Sequence, residues 1–152
     1  MRHRIPGRKL GRDAKHRKAL MRNLATSLIT HQQIKTTQAK AQELEPFMNK
    51  IIKEARRRVP HEAHRYVYRH LFTSDAQKKL FTELIPRFEE MEVNGQYCRI
   101  RYLPRRKGDS AKMAMIELVG NQAYLKEMEQ IHSWHENPYI ETYWKYEYRL
   151  LK

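Results

Sequence analysis

A chain of 152 residues holds one hydrophobic core, and with 40% apolar and 32% charged residues it is neither wholly disordered nor membrane-spanning, since no apolar run approaches the roughly 18 residues of a span. Cys98 is the sole cysteine, which excludes an internal disulfide and a thiolate metal cluster and fits a reducing compartment. The formal net charge of +14 directs attention to polyanionic partners.

Where the charge lies says more than its size. Residues 1–60 carry 16 basic and 4 acidic side chains, residues 61–120 carry 11 and 8, and residues 121–152 carry 4 and 5. The chain therefore has a cationic front and a near-neutral tail, and three segments are expected: a basic arm (1–12), a globular domain (13–120) and an aromatic-rich helical extension (121–152).

Taken in order, residues 1–12 are punctuated by Pro6, Gly7 and Gly11 and form an extended arm. Their Arg-rich, acid-poor character is that of a transit peptide, but the same three residues and His3 spoil an amphipathic helix, so no removable presequence is expected. Asp13 caps a helix running to about residue 30. On it Ala14, Leu20, Met21, Leu24, Ala25 and Leu28 share an apolar arc beside Lys15, Lys18 and Arg22. Arg17 falls on that apolar arc, where it must snorkel.

Gln33 to Thr37 reads as a short strand, with Thr36 or Thr37 capping a helix whose stripe is Ala41, Leu44, Phe47 or Met48, Ile51 or Ile52, and Ala55. Pro46 within it predicts a kink or break, and Arg56, Arg57 and Arg58 close it with more charge than a helix dipole requires. Pro60 starts a helix carrying Tyr66, Tyr68, Leu71 and Phe72. Ser74 and Gln77 make a capping box for another, with Ala76, Leu80, Phe81 and Leu84 inward, ended by Pro86.

Asn94 and Gly95 signal a turn. Gln96 to Leu103 alternates, placing Cys98, Ile100 and Tyr102 on one face and Tyr97, Arg99 and Arg101 on the other; Met113 to Val119 is a second strand with Ala114, Ile116 and Leu118 together. The two form an antiparallel pair joined by the cationic loop 104–112, PRRKGDSAK, and packed on the helices. Beyond Gly120, Tyr124, Leu125, Met128 and Ile131 suggest one helix, Asn137 and Pro138 a break, and Tyr139, Ile140, Tyr143, Trp144, Tyr148 and Leu151 another. With Trp134, these aromatic residues have the composition of a protein interface, for which Tyr124, Met128, Ile131, Trp134, Tyr139, Tyr143, Trp144 and Tyr148 are the candidates.

An ordinary solvated surface intersperses both signs of charge, and this front does not. Its cations are spread over an arm, two helices and a loop and not gathered on one recognition helix, which suits a large shaped RNA better than a DNA operator. Tyr97 and Tyr102 fit a half-buried core role better than a base-stacking platform. His61 with His64, and His132 with His135, have helical spacing but lack the further ligands of a zinc site, so no metal or cofactor is expected. No phosphate loop, nucleophile elbow or carboxylate pair commits the chain to chemistry, so it is not expected to be an enzyme. An RNA-processing enzyme and a free-standing nucleic-acid-binding regulator remain the alternatives.

The opening stretch MRHRIPGRKLGRDAKHRKALMRNLATSLITHQQIKTT, AKAQEL at 39–44, KLFTELIPRF at 79–88, the strand from Tyr97 to Arg101 and GDSAKMAMIELVGN at 108–121 together resemble, in order, the bacterial-type large-subunit ribosomal protein L-seventeen family. The resemblance implies an α+β domain of helices packed on a small three-stranded mixed sheet, the strand near Ile34 joining the last strand pair. It implies a structural role in translation, with contacts to large-subunit rRNA on the exit-tunnel side and to a neighbour of the L-thirty-two family. Matched position by position, it places Arg2, His3, Arg4, Arg8, Lys9, Arg12, His16, Arg17, Arg22 and Asn23, then the loop cations Arg105, Arg106, Lys107 and Lys112, against RNA. The residues themselves add Lys15, Lys18, Lys35, Arg56, Arg57, Arg58, Arg99 and Arg101 to that set. The tail past Asn121 has no counterpart in ordinary bacterial versions and resembles the extensions of organellar ribosomal proteins. The expected location is thus a mitochondrial ribosome in the matrix, with the bacterial cytoplasm as the alternative.

Overall fold

Asp13 opens the first helix as its position predicts: from an extended backbone (φ −66°, ψ 171°) its carboxylate accepts the His16 N–H at 3.0 Å, and α1 runs Ala14–His31. The computed structural model describes residues 7–93 and 95–121. Met21, Ala25, Leu28 and Ile29 form the buried stripe of α1, while Leu20 and Leu24 are half-buried at its margin and Ala14 is exposed. Gln32, left-handed at φ 61°, ends the helix and turns the chain into β1, Gln33–Thr37.

Helix α2, Gln38–Arg57, buries Ala41, Leu44, Met48, Ile51, Ile52 and Ala55. Thr37 stands at its N-cap without a side-chain capping bond; the Gln38 N–H instead donates to the Lys112 carbonyl at 2.9 Å. Of the kink or break expected at Pro46, the break does not occur: the helix runs through it. Pro46 is on the exposed side, so the hydrogen bond it denies the Gln42 carbonyl is lost where solvent is near.

Helix α3, Pro60–Tyr68, buries Ala63 and Val67, and Leu71 is buried just past its end. Two further expectations are corrected. The cap of α4, Ser74–Lys79, is Thr73, whose hydroxyl accepts the Ala76 N–H at 3.4 Å, and not a box of Ser74 and Gln77. Pro86 does not end the helical run: Leu80–Leu84 widens into a π-helical turn in which the Ile85 N–H reaches back to the Leu80 carbonyl, and α5, Ile85–Glu90, follows. Pro86 has no N–H to offer the preceding turn, and the run widens immediately before it.

Strands β2, Cys98–Leu103, and β3, Met113–Leu118, complete a sheet of order β1-β3-β2. Both pairings are antiparallel, which corrects the mixed sheet expected from the resemblance. The two edge strands do run the same way, but they flank β3 and never pair. Ile34, Ile116 and Ile100 lie in register across the inner face, which packs on α2. On the outer face Gln33, Glu117 and Arg99 make one row, and Lys35, Met115 and Arg101 the next. Glu117 has no exposed surface; Arg101 Nη2 donates to its Oε2 at 3.3 Å, and Arg99 Nε lies 3.8 Å from Oε1.

Tyr102, expected to be half-buried, is exposed, whereas Tyr97 takes the core role expected of it. It precedes the strand and is buried, its ring 5.1 Å from that of Phe88, its N–H on Asn49 Oδ1 and its hydroxyl accepting from Arg56 Nη1, both at 2.9 Å. The chain divides into two compact units, 1–119 and 120–152, and all these elements belong to the first. The helices expected after Tyr124 lie outside the described residues. Among the described residues no helix is long and apolar enough to cross a membrane.

Because Pro46 denies the continuous helix α2 one backbone hydrogen bond, Pro46→Ala restores it. Denaturant unfolding is expected to show a gain of about 1–3 kcal/mol; a loss would mean that α2 needs the proline's geometry.

Candidate nucleic-acid interface

Residues 7–12 are held against the helices by contacts of their own. The Arg12 N–H donates to the Lys9 carbonyl at 3.1 Å across a turn whose central residues, Leu10 and Gly11, both have positive φ (54° and 65°). Arg12 then ties this turn to α1: Nη1 donates to the Leu10 carbonyl at 2.8 Å and Nε to His16 Nε2 at 3.3 Å. Arg8 lies 3.9 Å from Glu43 of α2. Gly7, at φ 91°, permits this approach, since a Cβ there would stand 3.3 Å from Glu43 Oε2.

Three depressions are lined by cations, Arg8 among them. The first, about 400 Å³, lies between the arm turn, α1 and α2 and has Arg8, Lys9, Arg17 and Lys18 among its walls. The second, about 390 Å³, shares Arg8 and is bounded by the start of α2 and by Lys112. The third, about 290 Å³, begins at Met113, the next residue in the chain, and brings Lys35 of β1 beside Arg105, Arg106 and Lys107 of the cationic loop. Within each of these depressions, cations far apart in sequence meet. Of the nearby acids, Glu43 lies beside Arg8 and Asp109 is bound by Arg106, while Asp13 caps α1 through the His16 N–H.

The expected RNA-facing residues divide by what their side chains already do. Lys9, Lys15, Lys18, Lys35, Arg105, Lys107 and Lys112 are exposed and make no ion pair or side-chain hydrogen bond among the described residues. Arg17 is half-buried, donating to the Arg12 carbonyl at 3.4 Å, and Asn23 is exposed. Arg22 is turned inward: its guanidinium carbon lies 3.9 Å from the Phe72 ring centroid, and Nη2 donates to the Leu71 carbonyl at 3.3 Å.

Arg56 holds the β2 approach to α2 through the Val93 carbonyl and the Tyr97 hydroxyl, both at 2.9 Å. Arg57 and Arg58 both bind Glu54, at 3.1 and 2.9 Å, and these bonds, Arg57 first, hold its carboxyl below the usual range. Arg99 and Arg101 attend Glu117. Arg2, His3 and Arg4, and the eight candidate interface residues of the tail, lie outside the described residues.

Among the described residues no three His, Cys, Asp or Glu side chains are placed to hold a metal ion, and the His64 ring stacks on Phe81 at 4.0 Å. Burial pushes the Cys98 thiol up, out of the range of a reactive thiolate. The sequence did not mark Leu10, Met21 and Phe47 as part of this surface. The sole hint was Leu10, an apolar side chain standing between Lys9 and Gly11.

The molecule is thus a small basic α+β domain with unengaged cations on its arm, α1, β1 and the β2–β3 loop. Comparison with known proteins names the kind: residues 20–119 match the family model described as Ribosomal protein L17. The large ribosomal subunit protein bL17 of Gemmatimonas aurantiaca is 49% identical over 119 residues, covering 78% of this chain and 98% of that protein. Those of Helicobacter hepaticus and Chloroflexus aurantiacus are each 46% identical over 119 residues, covering 78% of this chain and all of the relative. The chain belongs to the bacterial-type L17 family of ribosomal proteins, a structural and non-catalytic family.

Asp109 reports on the loop directly. Hydrogen bonds from Arg106 and from the Ala111 N–H lower its carboxyl from 3.8 to about 2. A depressed folded value means that the loop clasp is complete above the unfolded value and is lost as pH falls through the folded one. An NMR titration is expected to place the Asp109 midpoint near 2, and Arg106→Gln to return it toward 3.8; a midpoint near 3.8 in the unaltered chain would show that the clasp is absent.

Proposed function

We propose that this protein is a structural constituent of the large ribosomal subunit that grips large-subunit rRNA with the surface formed by its arm, α1, the β1 edge and the β2–β3 loop. The observation that carries the reading is that four separate elements each present exposed cations with no partner among the described residues, and that they meet in depressions lined by several of them. Each such cation that meets a phosphate releases condensed counterions, which is where sequence-independent affinity originates. Lys9, Lys15, Lys18, Lys35, Arg105, Lys107 and Lys112 take most of the phosphate contacts, with Arg8, Arg12, His16, Arg17 and Asn23 beside them and Arg2, His3 and Arg4 extending the grip. Arg22, Arg56, Arg57, Arg58, Arg99, Arg101 and Arg106 add to the field while serving the fold.

The segment beyond the family match, near-neutral and rich in Trp and Tyr, docks on a protein neighbour; the resemblance makes a member of the L-thirty-two family a further neighbour. That same segment supports a mitochondrial ribosome over a bacterial one. The chain is thereby divided into an RNA-facing arm, a globular domain and a protein-facing extension.

The grip is tested by salt dependence. Replacing Lys9, Lys18, Lys107 and Lys112 with Gln is expected to reduce the slope of log K against log salt, for an rRNA fragment, by about 0.7–0.9 for each phosphate that is no longer neutralised. Arg57→Gln with Arg58→Gln is expected to change it less for each residue replaced. Equal effects per residue replaced would mean that affinity follows overall charge and not this surface.

A further inference from the structure

The first of the three depressions has a floor unlike a phosphate site. Leu10 of the arm turn, Ala14 and Met21 of α1 and Phe47 of α2 line it, while Arg8, Lys9, Arg17 and Lys18 stand among its walls with one acid, Glu43, lying 3.9 Å from Arg8. At about 400 Å³ it falls within the range of small-molecule sites and far exceeds what a phosphate requires. A groove built only to track a backbone needs no apolar floor, and a core defect would not be ringed by cations.

Leu10 sharpens the point. It occupies a left-handed conformation at φ 54°, followed by Gly11 at φ 65°, with the turn closed by the Arg12 N–H on the Lys9 carbonyl. Two successive positive-φ residues are the pattern of a type I′ turn, where Asn, Asp or Gly is the ordinary choice at the first position. A branched apolar side chain there costs conformational energy. Here the strained position supplies an apolar wall of the cleft.

We propose that this cleft receives one unstacked nucleobase of single-stranded RNA, its ring against Leu10, Met21 and Phe47 and its flanking phosphates beside Lys9, Arg17 and Lys18. The proposal rests on the reading of this surface as RNA-binding and adds a base subsite to it. Sequence-tolerant stacking on an apolar or aromatic platform with cations tracking the backbone is a general means of holding single strands.

The test uses the full chain and two probes, a short single-stranded oligoadenylate and an oligomer of equal length and charge with stable abasic sugars. The base-bearing strand is expected to bind roughly 5- to 100-fold more tightly, the worth of one stacked base. Leu10→Asn suits the left-handed turn but removes the apolar wall, and is expected to erase most of that preference while leaving abasic affinity unchanged. Thermal unfolding of the variant verifies that the fold persists. Equal binding of the two probes by the unaltered chain would overturn the base subsite while leaving the phosphate grip intact. A preference that survives Leu10→Asn would place the base elsewhere and overturn it too. If neither probe binds, the RNA-binding reading fails, and the subsite with it.

Discussion

Leu44, Met48, Ile51 and Ile52 of α2 are buried in one core with Ile116 and Leu118 of β3, and α2 packs on all three strands. Fully burying each such side chain contributes about 1.5–3 kcal/mol, whereas an exposed ion pair contributes about 0–1. Apolar packing, not charge, therefore decides where the cations stand. It sets the start of α2 beside Lys112, whose carbonyl accepts the Gln38 N–H, and it sets β1 against β3, so that Lys35 reaches the loop of Arg105 and Lys107. An assembly of like charges repels itself, and a rigid interior is what keeps these side chains together without a partner.

The basic residues divide along chemical lines. Those turned to intramolecular use are almost all arginines: Arg22 over Phe72, Arg56 on Val93 and Tyr97, Arg58 on Glu54, Arg101 on Glu117, Arg106 on Asp109. Those with no partner among the described residues are mostly lysines. A planar guanidinium is weakly hydrated, stacks on rings and satisfies several acceptors at once, so it tolerates partial burial; an ammonium is a compact, strongly hydrated charge best left in water or opposite a phosphate. Lys79, which donates to the Thr30 carbonyl at 2.9 Å, is the exception that joins two helices. Counting positive charges in the sequence merges these two populations, and geometry separates them.

Periodicity sufficed for most elements. Asp13 as a cap, the stripe from Ala41 to Ala55, the strand near Ile34 and the inward set Ala114, Ile116 and Leu118 all stand where the pattern puts them. Proline was the main source of error. A local rule makes it a helix breaker, but Pro46 is tolerated on a solvent-facing side of a helix whose other side is buried, and Pro86 is accommodated by a widened turn that no local pattern announces. The core role of Tyr97 is legible, but its partners Phe88, Asn49 and Arg56, brought to it only by the fold, are not. The same holds for the candidate surface: its cations were legible one by one, but the sharing of Arg8 by two depressions and the apolar floor under Lys9 and Lys18 arise only when α1, α2 and the arm turn are brought together.

The central claim is that one cationic face, and not the charge of the chain at large, meets RNA. Lysine reactivity toward an acetylating reagent in intact large subunits carrying this protein, compared with the free chain, tests it most directly. Lys9, Lys18, Lys35, Lys107 and Lys112 are expected to become protected in the particle, while Lys53 and Lys78, exposed on other parts of the domain, keep more of their reactivity. If the first group remained fully reactive in the particle while the second was shielded, a different face of the domain would be the one that holds RNA.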